Sequence, residues 1–78
     1  MTLKIISPED IVFEGEVTSV TLPGQMGSFT VLHNHASLVS ILVAGSIGYK
    51  AADGSENSLP VAGGIVDVDH NVVSVCLY

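Results

Sequence analysis

The residues of this chain best equipped for chemistry are three histidines and a handful of carboxylates. His33 and His35 form an H-x-H pair, and Asp67, Asp69 and His70 could add further ligands. Alternate residues of an extended segment project to one side, so both imidazoles could reach one metal ion. Zinc sites usually show tighter spacing and cysteine ligands, and loop histidines are more commonly solvated or bonded to backbone. Asp67-x-Asp69-x-Asn71 imitates the first half of a calcium loop. Val72 occupies the place of its sharp-turn glycine and Tyr78 that of its bidentate glutamate, so the match fails. Gly24-Gln25-Met26-Gly27 and Gly63-Gly64 lack the lysine and helix start of a phosphate loop; tight turns and close backbone approach explain them better. Ser37 lies two residues from His35, but no glycine-framed elbow surrounds it and no third member is identifiable. No metal, cofactor or catalytic site is expected.

Charge and length exclude further classes. Lys4 and Lys50 oppose eight carboxylates, for a net charge of −6. Two cations cannot neutralise a run of phosphates, which argues against nucleic acid, and clustered lysines for anionic lipid are missing as well. The apolar run Leu38 to Ile47 is interrupted by Ser40, Gly45 and Ser46 and is too short to span a bilayer. Seventy-eight residues form one domain, spanning 1–78, with a core worth only about 3–5 kcal/mol net. Such a domain usually relies on disulfides, a metal or a partner. The lone Cys76 excludes an internal disulfide and fits a reducing, intracellular setting. With 47% hydrophobic and 13% charged residues, part of the surface is expected to be covered by another protein.

The elements that must carry these residues read as strands throughout. Leu3 and Ile5 alternate with Lys4 and Ile6 ahead of a Pro8-Glu9-Asp10 turn. Ile11 to Leu22 changes apolar spacing midway, which predicts a bulge at Gly15 or at the Thr18-Ser19 step. Pro23-Gly24 is expected to turn the chain into Ser28–Leu32, and His33 to Ala36 reads as a loop. Leu38 to Val43 is apolar on both parities and predicts a buried element; Cys76 is expected to be a core thiol. Asp53-Gly54-Ser55 and Asp69-His70-Asn71 mark two hairpins. No window carries a helical period. The expected fold is all-β, an antiparallel β-sandwich or flattened barrel of about eight to ten short strands.

The order of the motifs carries more than any one of them. Leu3-Lys4-Ile5-Ile6-Ser7-Pro8-Glu9, Phe13-Glu14-Gly15 and Val20-Thr21-Leu22-Pro23-Gly24-Gln25-Met26-Gly27 resemble the ε subunit family of rotary F-type ATP synthases. The resemblance continues through Phe29-Thr30-Val31-Leu32, Asn34-His35-Ala36, Leu38-Val39 and Gly45. It ends with Val61-Ala62-Gly63-Gly64-Ile65-Val66-Asp67-Val68 and Asn71-Val72-Val73-Ser74-Val75. It implies a β-sandwich and a non-catalytic rotor subunit of the central stalk, linking the γ subunit to the c-ring of Fo. That subunit supports coupling of proton transport to ATP synthesis at sites on other subunits, without cofactors and without inserting in the membrane. The implied place is the cytoplasmic face of the bacterial inner membrane, peripheral, as part of F1.

By position, the resemblance implies that the turn of Gly24, Gln25, Met26 and Gly27 approaches the c-ring. It places His33, Asn34, His35, Ala36, Ser37 and Leu38 near the same lower end and the γ contact. Gln25 stands where the family is commonly acidic, His33 and Ser37 where prolines are common, and Ile65 where phenylalanine is frequent. The stop at Tyr78 leaves out the two-helix C-terminal segment of typical members, so a short form that couples without inhibiting hydrolysis is expected. The competing class is a lipoyl- or biotin-carrier domain, also small, acidic and all-β. It needs a lysine at an exposed hairpin tip, and neither Lys4 nor Lys50 sits in such a sequence.

Overall fold

Alternation decides which way each strand faces. Val66 and Val68 are buried while Ile65, Asp67 and Asp69 face out; Leu3 and Ile5 are buried while Thr2, Lys4 and Ile6 are only partly covered. The computed structural model describes all 78 residues and contains eight strands. These are β1 (Thr2–Ile6), β2 (Ile11–Gly24), β3 (Gly27–Leu32), β4 (Leu38–Leu42), β5 (Gly45–Ala51), β6 (Glu56–Val61), β7 (Gly64–Asp69) and β8 (Val72–Leu77). No helix is long and apolar enough to cross a membrane.

Hydrogen-bonded neighbours run β1-β8-β7-β4-β2-β5-β6, with β3 also on β2, and β1 returns to pair with β2. The ring β1-β8-β7-β4-β2 is thereby closed, its tightest corner a single pairing of Gly24 with Leu42. The result is a flattened barrel with two layers. One is β4-β7-β8-β1 with the first half of β2; the other is β3, the second half of β2, β5 and β6. Between them lie Leu3, Ile5, Leu42, Val66, Val68, Val73 and Val75 from the first layer, against Val20, Leu22, Val31 and Ile47 from the second. All pairings are antiparallel except β1 with β8, which run parallel. These strands come from opposite ends of the chain, so no hairpin dictates their relative direction.

Strand β2 serves both layers because it is bulged twice. Ile5 pairs with Phe13 but Ile6 with Ile11, leaving Val12 extra; Val17 pairs with Ala51 but Ser19 with Lys50, leaving Thr18 extra. A bulge bends its strand and increases the twist. The second falls at the step expected from the spacing; the first lies at Val12, ahead of the Gly15 alternative.

The first hairpin turns later than expected. Pro23 and Gly24 are still in β2, paired with Ser28 and Gly27, and the reversal is made by Gln25 and Met26. The turn is there because Gln25 N–H donates to the Ile41 carbonyl (2.9 Å) and Val43 N–H to the Pro23 carbonyl (2.9 Å), holding residues 23–25 beside β4. A Cβ on Gly24 would lie 2.7 Å from the Gly27 carbonyl oxygen and 2.8 Å from the Phe29 ring, and Gly27 has φ +122°. Both glycines are therefore required by the turn itself.

Strand β4 also departs from expectation. It is flanked by β7 along its length and by β2 at one residue only, so it is close to an edge strand. Val39 is 71% exposed, and Ile41 and Val43 are exposed too. Apolar residues of both parities here mean one face on the core and the other bare. Cys76, expected inside, is likewise exposed.

Candidate docking face and the loop clasp

Cross-strand partners share a face of the sheet, and on the outer face of the first layer this assembles an apolar row. Ile41 pairs with Ile65, Ile65 with Cys76, Cys76 with Ile6, and Ile6 with Ile11. Ile11, Ile41 and Ile65 are each about half exposed, and Val39, Val43 and the bulged Val12 extend the patch. At about 4.8 Å between strands the row is roughly 19 Å long. The next row on the same face begins with Val39 and is otherwise polar: Asp67, Ser74, Lys4, Glu14. Neither Lys4 nor Asp67 has an ion-pair partner; the only pairs in the chain are Met1 amino group to Glu16 (3.2 Å) and His70 to Asp69 (2.9 Å). The opposite layer presents a shallow groove of about 150 Å³ lined by Ser19, Thr21, Gly48, Tyr49, Lys50, Glu56 and Asn57. It is polar and well below the ~300 Å³ at which small-molecule sites begin.

The residues first singled out for chemistry are brought together at one end of the molecule, but as a structural clasp. Asn34 N–H donates to Asn71 Oδ1 (2.7 Å) and Asn71 Nδ2 donates to Asn34 Oδ1 (2.9 Å), joining the β3–β4 loop to the β7–β8 turn. Ser37 Oγ donates to Asp69 Oδ1 (2.7 Å), and His70 Nδ1 meets the same oxygen. Asn34, His70 and Asn71 all have positive φ, which asparagine tolerates better than most residues. His35 Nδ1 bonds the Ala36 carbonyl (2.7 Å), so this ring is committed to its own loop. No three of the His, Cys, Asp and Glu side chains converge in a metal-holding group. In the Ser37–Asp69–His70 chain the carboxylate sits in the middle, whereas activating a serine requires the imidazole beside the hydroxyl.

The clasp has a pH signature. The hydroxyl of Ser37, then His70, holds the Asp69 carboxyl below its ordinary value of 3.8. A depressed carboxylate contributes stability above the unfolded pKa and loses it as pH falls through the folded one. We therefore expect Ser37→Ala to move the Asp69 titration up toward the ordinary value, so that acid opens the clasp at a higher pH. A ¹³C carboxyl NMR titration in which Asp69 is unmoved by Ser37→Ala would contradict this.

The structure separates the two segments that the resemblance placed together. The Gly24–Gly27 turn precedes β3, and the His33–Ser37 loop follows it, with Leu38 opening β4. Six extended residues put them roughly 20 Å apart, at opposite ends of the layer. Met26 at the turn tip is 97% exposed. The apolar row itself was missed by sequence reasoning: Ile6, Ile11, Ile41, Ile65 and Cys76 lie on five strands and meet only through register. The one local signal was the double-parity apolar run in β4. The lysines do not suit a carrier domain, since Lys4 lies within β1 and Lys50 within β5, paired with Glu56 below the Asp53-Gly54 turn and not at its tip.

Residues 1–77 match the family described as the ATP synthase, Delta/Epsilon chain, beta-sandwich domain. The ATP synthase epsilon chain of a Nitratiruptor species is 44% identical over 71 residues, covering 91% of this chain and 55% of that protein. That of a Sulfurovum species is 46% identical, covering 88% and 54%. This chain thus spans about half the length of these relatives, whereas it covers 80% of the Chlorobaculum tepidum epsilon chain at 40% identity. Among solved structures, a chain of the Euglena gracilis mitochondrial ATP synthase (OSCP/F1/c-ring) superposes with a TM-score of 0.89 at 22% identity, covering 96% of this chain and 48% of that one. A chain of the Tetrahymena thermophila mitochondrial ATP synthase central stalk/c-ring gives 0.79 at 15% identity, covering 99% and 62%. At those identities the likeness is one of fold.

Proposed function

The chain belongs to the ATP synthase delta/epsilon β-sandwich family, and on that footing we propose that it is a non-catalytic rotor subunit of the central stalk. It links the γ subunit to the c-ring and so supports coupling of proton transport to ATP synthesis. The observation that carries this reading is the bare apolar row Ile41–Ile65–Cys76–Ile6–Ile11. A polar surface row would serve a free-standing domain better; an apolar one is stable in water chiefly when another protein covers it. We assign this face to γ. The 20 Å separation then divides the contact residues: Gly24, Gln25, Met26 and Gly27 meet the c-ring, and the His33–Leu38 segment continues the γ contact from the clasp end.

At the ring the neutral Gln25 and the apolar Met26 contribute a hydrogen-bonding and a hydrophobic contact in place of a charge pair. The subunit reaches the membrane surface only through its partners, on the cytoplasmic face in a bacterium. The test is co-purification with γ. Mixed and passed over a sizing column, the two should elute as one complex; separate elution at both low and high salt would overturn the proposal.

A further inference from the structure

The outer face of the first layer is complementary to itself, and we propose that the free chain pairs through it with a second copy. Strand β8 runs down the middle of this face, flanked by β7 and β4 on one side and β1 and β2 on the other. A two-fold axis along β8, lying in the plane of contact, exchanges the two sides. It sets Ile65 against the second copy's Ile6 and Ile41 against its Ile11, so the apolar row covers itself. In the adjoining row it sets Asp67 against the second copy's Lys4, twice over by symmetry, with Ser74 facing Ser74 at the axis, while the outermost pair, Val39 with Glu14, falls at the rim, where the carboxylate keeps its water. Lys4 and Asp67 are among the charged groups of this chain that have no ion-pair partner within it. Lys4 is moreover one of only two basic side chains among eight acidic ones, and it is placed where the symmetry needs a cation.

A two-fold of this kind keeps the strands of the two copies running in the same sense. The sheets then stack about 10 Å apart with strands within about 30° of each other, the usual way one sheet packs on another. A contact of that kind is isologous, so it closes at two copies and does not propagate. With the next row, Asp69, Val72, Thr2 and Glu16, the contact covers on the order of 400 Å² of each copy, about half what a stable complex buries. The dimer is therefore weak, with a dissociation constant on the order of 100 µM. It exchanges readily for a partner that covers more, and it shields the apolar row of unassembled chains. The γ reading assigns the same face, but self-pairing does not depend on it: the sizing-column result can fail while the dimer stands, and the reverse.

Sedimentation equilibrium of the full chain tests the pairing directly. The mass should rise from that of one 8.1 kDa chain toward twice that value as protein passes from about 10 µM to about 1 mM. Lys4→Glu sets Asp67 against a glutamate, and Asp67→Lys sets Lys4 against a lysine, so each variant alone should self-associate at least about tenfold more weakly. Mixed in equal amounts they should associate with each other, because a cross-copy pair of opposite charges is then available again. Both side chains lie on the outer face, and unchanged far-UV circular dichroism and melting confirm that the variants fold. Cys76 lies next to the axis. A disulfide needs Cα atoms within about 7 Å, too close for stacked sheets, whereas a bis-maleimide spanning about 10 Å should join two copies through Cys76. Wild-type chain that stays monomeric to about 1 mM would overturn the proposal, as would variants that fail to recognise each other in the mixture.

Discussion

Replacing Gly64 by alanine is expected to remove most of the chain's stability and leave it only marginally folded at 25 °C. Gly64 opens β7, is buried, and pairs on one side with Leu42 and on the other with Leu77. A Cβ built there runs into the Cys76 carbonyl oxygen and lies 3.2 Å from the Leu77 Cα. These atoms are backbone, so no rotamer change relieves the clash; β7 and β8 must separate or β7 must lose its hold on β4. Either outcome breaks ladder hydrogen bonds in the ring that closes the barrel. Overpacking a rigid site costs about 3 kcal/mol, and the whole fold of so short a chain is worth only about 3–5 kcal/mol. A urea titration followed by far-UV circular dichroism should show the midpoint moved most of the way to zero denaturant and the folded baseline shortened. A midpoint within error of wild type would mean that the two strands can part at no cost, contrary to the close approach seen here.

The second large effect concerns binding and leaves the fold intact. Ile65 sits near the middle of the apolar row, 45% exposed, with Ile41 and Cys76 as its neighbours across the sheet. Ile65→Asp removes no core contact, so its cost to stability is limited to strand preference, at most about 1 kcal/mol. Covered by γ, however, the same aspartate would be an unpaired carboxylate in an apolar contact. Losing the isoleucine and desolvating the charge together should weaken the complex by about 3 kcal/mol or more, on the order of a hundredfold. The measurement is calorimetric titration of γ, with the thermal midpoint of the isolated variant as control. Binding within twofold of wild type would move the γ contact off this face.

Both effects rest on features that were legible to different degrees in the residue order. The Gly63-Gly64 pair was readable as a close backbone approach, since glycine in a β pattern marks a place where a Cβ does not fit. The strands were readable for the same local reason: Leu3/Ile5, Val66/Val68 and Val73/Val75 alternate with neighbours of the opposite face, and period two leaves little choice. The His33–Asn34–His35 and Asp69–His70–Asn71 segments were readable as loops, but their union in a clasp needed β3, β4, β7 and β8 to be in place. Leu38 to Val43 misled because period two cannot distinguish a strand buried on both faces from one whose second face awaits a partner. That difference depends on whether anything packs on the outer face of the sheet, and nothing in the chain does: Ile65 and Cys76, on strands with a neighbour on either side, are exposed there as well.

By itself, then, the sequence determined that this chain is a small acidic β domain, of a recognisable family, with too few cations for nucleic acid and no second cysteine for a disulfide. Those properties are sums over residues or runs of near neighbours, and the chain order contains them in full. Tertiary structure alone decided where its surface is adhesive. Ile6, Ile11, Ile41, Ile65 and Cys76 are scattered along almost the whole chain and become one row only through the register of four strand pairings. The bulge at Val12 is part of that register, because a one-residue change of pairing turns a side chain to the other face.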